Sequence, residues 1–320
     1  MKAPELLAPA GTQRHLEMAL AYGADAVYAG PPRYSLRVRN NSFRDEAALA
    51  EGIRTAHEKG ARFYLVINIA PHNDKIRSAL RDIEPLVALG PDALIMSDPG
   101  LIMLVRERWP DLPIHLSVQA NAVNWATVEF WKRQGISRII LSRELSLREI
   151  EVIREQVADV EMEVFVHGAL CMAYSGRCLL SGYMNHRDAN QGACTNACRW
   201  SYQPVASSRD STGDLIPVTQ DEGEKQVLVE EAGRPGETVP MHEDEHGTYI
   251  MNSKDLRAVQ HVESLCRMGV DSLKIEGRTK SPYYVARTVQ AYRRAIDDAV
   301  AGRPFAATLM DELEARSHRG

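Results

Sequence analysis

The feature that most limits how this chain can fold is a joint that recurs along it: an amphipathic helix, a glycine, one or two small or polar residues, then an apolar strand. It appears as Gly23-Ala-Asp before AVYAG, Gly60-Ala-Arg before FYLVINIA and Gly90-Pro-Asp before ALIMSD. It returns as Gly135-Ile-Ser before RIILSR and Gly269-Val-Asp before SLKIEG. A glycine suits the left-handed position that ends a helix, and the strand then begins within a few residues. The preceding helices carry apolar residues at 3.6 spacing, such as Leu16, Ala19 and Leu20, or Val128 and Trp131. The strands are continuous apolar runs, as parallel strands covered on both faces should be. They fall at 5–9, 26–30, 63–69, 93–97, 114–119, 138–142, 163–167 and 272–276. This order predicts an α/β fold, a (β/α)8 TIM-like barrel. The competing doubly wound sheet lacks its Gly-rich dinucleotide fingerprint after the first strand.

The rhythm breaks between the seventh and eighth strands, where a Cys-rich, partly β insertion is expected. Four of the five cysteines, Cys171, Cys178, Cys194 and Cys198, lie there with spacing C-x6-C-x15-C-x3-C. Clustered thiols in a chain without an export signal favour metal over disulfides. Four thiolates suit either Zn2+ or an iron–sulfur cluster, and only the last pair approaches the short paired spacing of zinc sites. The alternative, buried thiols acting as small hydrophobes, fits Cys266 among Val259, Val262 and Leu265. It fits the other four poorly, because Gly, Ser, Asn and Arg surround them. Beyond them, 203–248 is rich in Asp, Glu, Gly and Pro, with a hairpin expected around Arg234-Pro235-Gly236. The barrel is thus expected to span 1–302, with 171–250 as the cluster-binding segment and polar insertion. Residues 303–320 form an extension with little to pack against in a bare barrel.

A net charge of −5 announces no global nucleic-acid binder, so any RNA contact needs a local basic surface. No apolar run is long enough to span a bilayer and no signal peptide opens the chain, which predicts a cytoplasmic protein.

Function in such barrels sits on the loops after the strands. Those ends carry polar groups while the strand bodies read as apolar. The second loop offers Arg33, Tyr34, Arg37 and Arg39, suited to phosphate or carboxylate ligands, or else to a solvated salt-bridged loop. Asn68, Gln119, Arg278 and Lys280 are further substrate-binding candidates. His167, Arg143, Glu144 and Glu276 are candidates for catalysis. Several have plainer readings: Asp98 before Pro99 as a helix cap, His167 as a structural histidine at a strand end. HExxH, G-x-S-x-G and the Walker A pattern are all missing.

The stretch Glu163-x-Phe165-x-x-Gly168-Ala-Leu-Cys171-x4-Gly176-x-Cys178-x-x-Ser181 resembles the signature of the collagenase-like peptidase U32 family. PELLAPAG, YGADAVYAG, PRYSLRVRNN, NIAPHN, MSDPGLIMLVRE, HLSVQANAVNWATV and HGTYIMNSKDLRA extend that resemblance to its tRNA-hydroxylating branch over nearly the whole chain, most weakly in 203–240. The resemblance implies a [4Fe-4S] cluster on Cys171, Cys178, Cys194 and Cys198. It implies hydroxylation of the wobble uridine to 5-hydroxyuridine, with tRNA (anticodon region) as partner and prephenate as co-substrate. It also implies a small β-rich domain, of which 303–320 would be the start. The alternatives are a U32-type metallopeptidase and a non-catalytic RNA-binding iron–sulfur adaptor.

Overall fold

The computed structural model describes residues 1–36, 42–169, 173–189, 194–195, 255–277 and 280–314, together with 202–209, 211, 215–217, 227–231, 238–241, 243–244 and 247–248. The chain divides into two compact units, Met1–Thr195 with Lys254–Gly320, and Asn196–Ser253.

The first unit is a (β/α)8 barrel. Its strands are β1 (Glu5–Pro9), β2 (Ala26–Ala29), β3 (Arg62–Ile67), β4 (Ala93–Met96), β5 (Ile114–Leu116), β6 (Arg138–Ile140), β7 (Glu161–Gly168) and, after the second unit, β15 (Ser272–Ile275). Each pairs in parallel with the next. The ring closes where β6 meets β7 (Ile139↔Met162) and where β15 joins β7 and β1 (Leu6↔Leu273). All five joint glycines take positive φ, from +70° at Gly60 to +103° at Gly23, so each helix ends where the sequence placed its stop. The fifth strand is shorter than expected. It ends at Leu116, and Val118–Ala120 forms a 3₁₀ turn that finishes in left-handed Asn121.

Around the ring lie α1 (Gln13–Ala21), α2 (Glu46–Glu58), α3 (Asn73–Ala88), α4 (Pro99–Arg108), α5 (Trp125–Arg133) and α6 (Leu147–Gln156). Later come α7 (Leu180–Asn185), α8 (Val262–Arg267), α9 (Pro282–Val300) and α10 (Thr308–Glu314). Thr12, Asp45, Asp98, Asn124, Ser146 and Ser281 accept backbone N–H groups at their helix N-termini, which is the plain reading of Asp98. Cys266 is buried on α8, and burial pushes its thiol up to about 11, so it behaves as a hydrophobe. The extension packs more than the sequence suggested. Leu309 and Leu313 of α10 are buried in the apolar layer shared with α9. No helix among the described residues is long and apolar enough to cross a membrane.

The second unit holds antiparallel strands β8 (Tyr202–Arg209), β9 (Leu215–Pro217), β10 (Val227–Glu231) and β11 (Thr238–Met241) in the order β11-β10-β8-β9. It also holds the pair β12 (Glu243–Asp244) and β13 (Gly247–Thr248). In the first unit, the short β14 (Leu256–Arg257) pairs antiparallel with β7. The expected hairpin is the β10–β11 pair, registered Glu230↔Thr238. Its turn lies outside the described residues.

Alternation along the barrel strands sorts side chains into two layers. Leu6, Val27, Leu65 and Val164 face the helices, while Leu7, Tyr28, Tyr64 and Ile95 fill the interior with Phe165 against them. Here the strand bodies depart from the apolar expectation. Arg138, only 2% exposed, donates to Glu5 Oε1 at 2.5 Å, Glu161 Oε2 at 2.8 Å and Glu163 Oε2 at 3.3 Å. Lys274 Nζ donates to the other oxygen of the fully buried Glu163 at 2.8 Å and lies 4.5 Å from the Tyr28 ring centre. Tyr64 Oη donates to Glu5 at 2.7 Å. Burial opposes ionisation of Glu163, but Lys274 and Arg138 outweigh it and hold its carboxyl below the usual range. Lysine 274 and glutamate 163 are therefore tolerated inside the barrel as a hydrogen-bonded pair. Lys274→Met leaves Glu163 buried with one cation fewer, and chemical denaturation should show a loss of about 3–5 kcal/mol. Glu163→Gln in the same chain should recover much of it.

Candidate functional site

The strand ends collect on one rim of the barrel, and hydrogen bonds there fix the loops. After β3, Asn68 Oδ1 accepts from Leu36 N–H at 3.2 Å, and its carbonyl accepts from Ser97 Oγ at 3.1 Å. Asn68 thereby ties the second, third and fourth loops together. After β6, Arg143 Nη1 donates to the Ala169 carbonyl at 2.5 Å, and its guanidinium lies 3.9 Å from the Phe165 ring centre. Its buried Nε–H has no partner among the described residues. Ser142 Oγ donates to Glu144. Arg143 is thus a positioned cation at the root of the cysteine segment, with donor capacity to spare.

Tyr34 sits elsewhere. It is buried with φ +65°, and its hydroxyl donates to Asp82 Oδ2 at 2.8 Å and meets Ser78 Oγ at 3.2 Å on α3. Burial raises its phenol, so Tyr34 is held as a neutral anchor of the second loop. Arg33 extends into solvent, 4.0 Å from Asp82. Arg37, Arg39 and Arg278 lie outside the described residues.

His167 is buried against α9. It approaches the Tyr292 hydroxyl through Nδ1 at 3.3 Å, with the Tyr284 ring centre 5.8 Å away. Tyr292 donates in turn to the Val166 carbonyl at 2.6 Å and accepts from Ala258 N–H. Desolvation, with Lys280 and Arg257 against Asp255, brings His167 down to about 4, so its imidazole is neutral at physiological pH. Lys280 Nζ donates to Asp255 Oδ2 at 3.3 Å, and its carbonyl meets His15 Nε2 at 2.7 Å. Glu276 is buried beside β7, its N–H on the His167 carbonyl at 2.8 Å. Gly168 takes φ +108°, and a Cβ there would stand 2.5 Å from the Glu276 carbonyl, so only glycine fits this crossing. His167, Glu276 and Lys280 thus gather at the β7–β15 end, while Arg143 and Gln119 hold the β5–β6 side of the rim.

The cysteine segment is fastened to that second side. Asn121 Nδ2 donates to the Ser175 carbonyl at 3.0 Å and to the Gln119 carbonyl at 2.8 Å. Gly176 passes so close to Gln119 that an added Cβ would lie 3.0 Å from the Gln119 Cβ. Cys178 and Cys194 are partly exposed thiols that form no disulfide. Cys171 and Cys198 lie outside the described residues. The two thiol-bearing stretches are clasped together by the buried Ser181. Its Oγ accepts from Thr195 N–H at 3.0 Å and meets Thr195 Oγ1 at 3.1 Å. Each of the two thiols lies three residues or fewer from this clasp, and thiolate is the donor type that zinc and iron–sulfur centres take. Sequence reasoning passed over Asn121 and Ser181 as holders of this segment. Their signals were present, as an Asn closing a strand-end turn and as the last residue of the signature.

Two outcomes follow. Unfolded histidines bind protons that His167 and His115 refuse in the fold, His115 being brought down to about 3 chiefly by burial. Stability is therefore complete above about pH 6.5 and declines as pH falls, to about 4 for His167 and about 3 for His115, as denaturation midpoints across pH 7–4 should show. Ser181→Ala leaves the Thr195 N–H without its acceptor. It should cost about 1–3 kcal/mol and speed alkylation of Cys194, read by mass spectrometry.

The profile of Peptidase family U32 matches residues 11–320. The chain is 64% identical to tRNA hydroxylation protein P of Escherichia coli over 334 aligned residues, covering all of this chain and 74% of that one. It is 61% identical to tRNA hydroxylation protein P of Haemophilus influenzae, over 99% of this chain and 72% of the relative. It is also 33% identical to the 23S rRNA 5-hydroxycytidine C2501 synthase of Escherichia coli, over 93% of this chain and 40% of that enzyme.

Proposed function

This chain belongs to peptidase family U32, and from that premise we propose that it is an RNA-modifying enzyme that hydroxylates tRNA. The observation that carries the reading is the 64% identity, along the entire chain, to a protein named for tRNA hydroxylation. The rRNA hydroxycytidine synthase, more distant, is named for the same change on another RNA base. In full, the proposed reaction is a prephenate-dependent hydroxylation of wobble uridine to 5-hydroxyuridine.

Cys171, Cys178, Cys194 and Cys198 are the residues that would hold a [4Fe-4S] cluster. Such a cluster supplies redox capacity or Lewis acidity when bound. The remaining work falls to the protein. Prephenate carries two carboxylates, and Arg143 suits one of them because its stacked guanidinium is already oriented and has an unused N–H. Arg278 and Lys280 suit the other end of such a dianion. The uridine must leave its stack to expose C5, and the amide groups of Gln119 and Asn68 suit the polar edge of an extruded base. His167, neutral above about pH 4, can carry one proton on one ring nitrogen beside Glu276 without adding charge.

The test is mass spectrometry of tRNA nucleosides from cells lacking the gene, with prephenate synthesis intact. Loss of 5-hydroxyuridine derivatives is expected, restored by the wild-type gene and not by Cys178→Ser. An unchanged profile in a strain with no second hydroxylase would sink the proposal. Arg143→Ala should lower modification at least tenfold, with the deficit reduced when prephenate is raised.

A further inference from the structure

The cysteine segment presents three large apolar side chains to solvent. Tyr174 is 56% exposed, Leu179 80% and Tyr183 68%, and all three lie within five residues of Cys178. A tight turn links the first of them to the thiol: Arg177 N–H donates to the Tyr174 carbonyl at 3.0 Å. The short helix α7 then carries Tyr183, whose N–H donates to the Leu179 carbonyl at 2.9 Å. The Ser175 carbonyl fixes this surface to Asn121, and Trp125, 48% exposed, opens α5 four residues farther on. Aromatic rings left in water at a barrel rim bury no core area, so packing does not account for them.

The charge of the segment narrows the partner. Between residues 173 and 189 there are two arginines, Arg177 and Arg187, both exposed, against a single acid, Asp188. This local excess is positive in a chain whose net charge is −5. Exposed aromatic faces interleaved with guanidinium groups are the combination that receives unpaired nucleotides, with bases stacked on the rings and phosphates on the cations. A standard protein interface takes about 20–30 residues a side, more than this short segment supplies, and a lipid surface takes about four to eight clustered cations.

We propose that Tyr174 and Tyr183, with Leu179 between them in sequence and the exposed Arg177 and Arg187 three and four residues from them along the chain, form a stacking platform for unpaired RNA next to Cys178. This inference rests on the RNA-hydroxylase reading and deepens it: the segment that carries the thiols also grips the bases flanking the target. Unpaired loops are then preferred over duplex, because paired bases offer no free faces.

The test is fluorescence anisotropy with two labelled RNAs of equal length, an anticodon stem-loop with an unpaired loop and a fully paired hairpin. Wild-type protein should bind the stem-loop more tightly. The Tyr174→Ala, Tyr183→Ala double variant should bind it about tenfold or more weakly, with binding to the paired hairpin unchanged. Both positions are exposed, so folding is expected to survive, and a thermal melt checks that. The Tyr174→Phe, Tyr183→Phe variant, which keeps the rings, should stay within about twofold of wild type. Equal stem-loop affinity for wild type and the alanine variant would overturn the platform while leaving the RNA reading intact. Failure of the wild-type protein to bind either RNA would overturn that reading and the platform with it.

Discussion

The barrel depends on one buried carboxylate. Glu163 stands in the interior with Lys274 on one oxygen and Arg138 on the other, and Arg138 reaches across to Glu5 and Glu161. Those side chains come from β1, β6, β7 and β15, the four strands on either side of the ring's closure. A charge in that place is costly unless every member is satisfied, so the network discriminates against any register that separates its partners. Phe165 lies two residues along β7, with Lys274 5.4 Å from its ring centre and Arg143 stacked 3.9 Å from the same centre. The ionic layer therefore underlies the ring on which the cation of the rim is oriented.

Most of the fold was legible because it rests on local chemistry. The glycines of the five joints are required by the left-handed backbone that ends each helix, and the strands between them are too short and apolar to be anything else. The charged interior was not legible, although Lys274 stands in plain sight within SLKIEG. A lone cation in an apolar run has no visible partner when its counter-ion is 111 positions away. The fifth strand was overextended for a similar reason: Val118 is apolar, but Ser117 turns the backbone and Asn121 completes a left-handed corner.

The rim was legible in location more than in role. Strand ends told where polar groups gather, and Asn68, Arg143, Lys280 and Glu276 do gather there. Which way a loop side chain turns depends on partners in other elements, and Tyr34 illustrates this. Its phenol is engaged by Asp82 and Ser78 of α3, so the residue secures its loop from beneath. His167 is likewise enclosed by tyrosines of α9, a surrounding that no pattern near position 167 announces.

The buried ion pair also sets the order of events during synthesis. Glu163 leaves the ribosome 111 residues ahead of Lys274, with the whole of the second unit translated between them. Until β15 emerges, a nascent chain can assemble seven strands but not their interior charge balance, and it keeps two open edges at β1 and β7. Arrival of the last strand closes the ring and brings Glu163 its second cation in one step. The barrel is therefore a structure completed after translation has passed its own insertion, and chains interrupted before residue 274 are left with both a buried acid lacking its lysine and exposed strand edges for quality control to recognise.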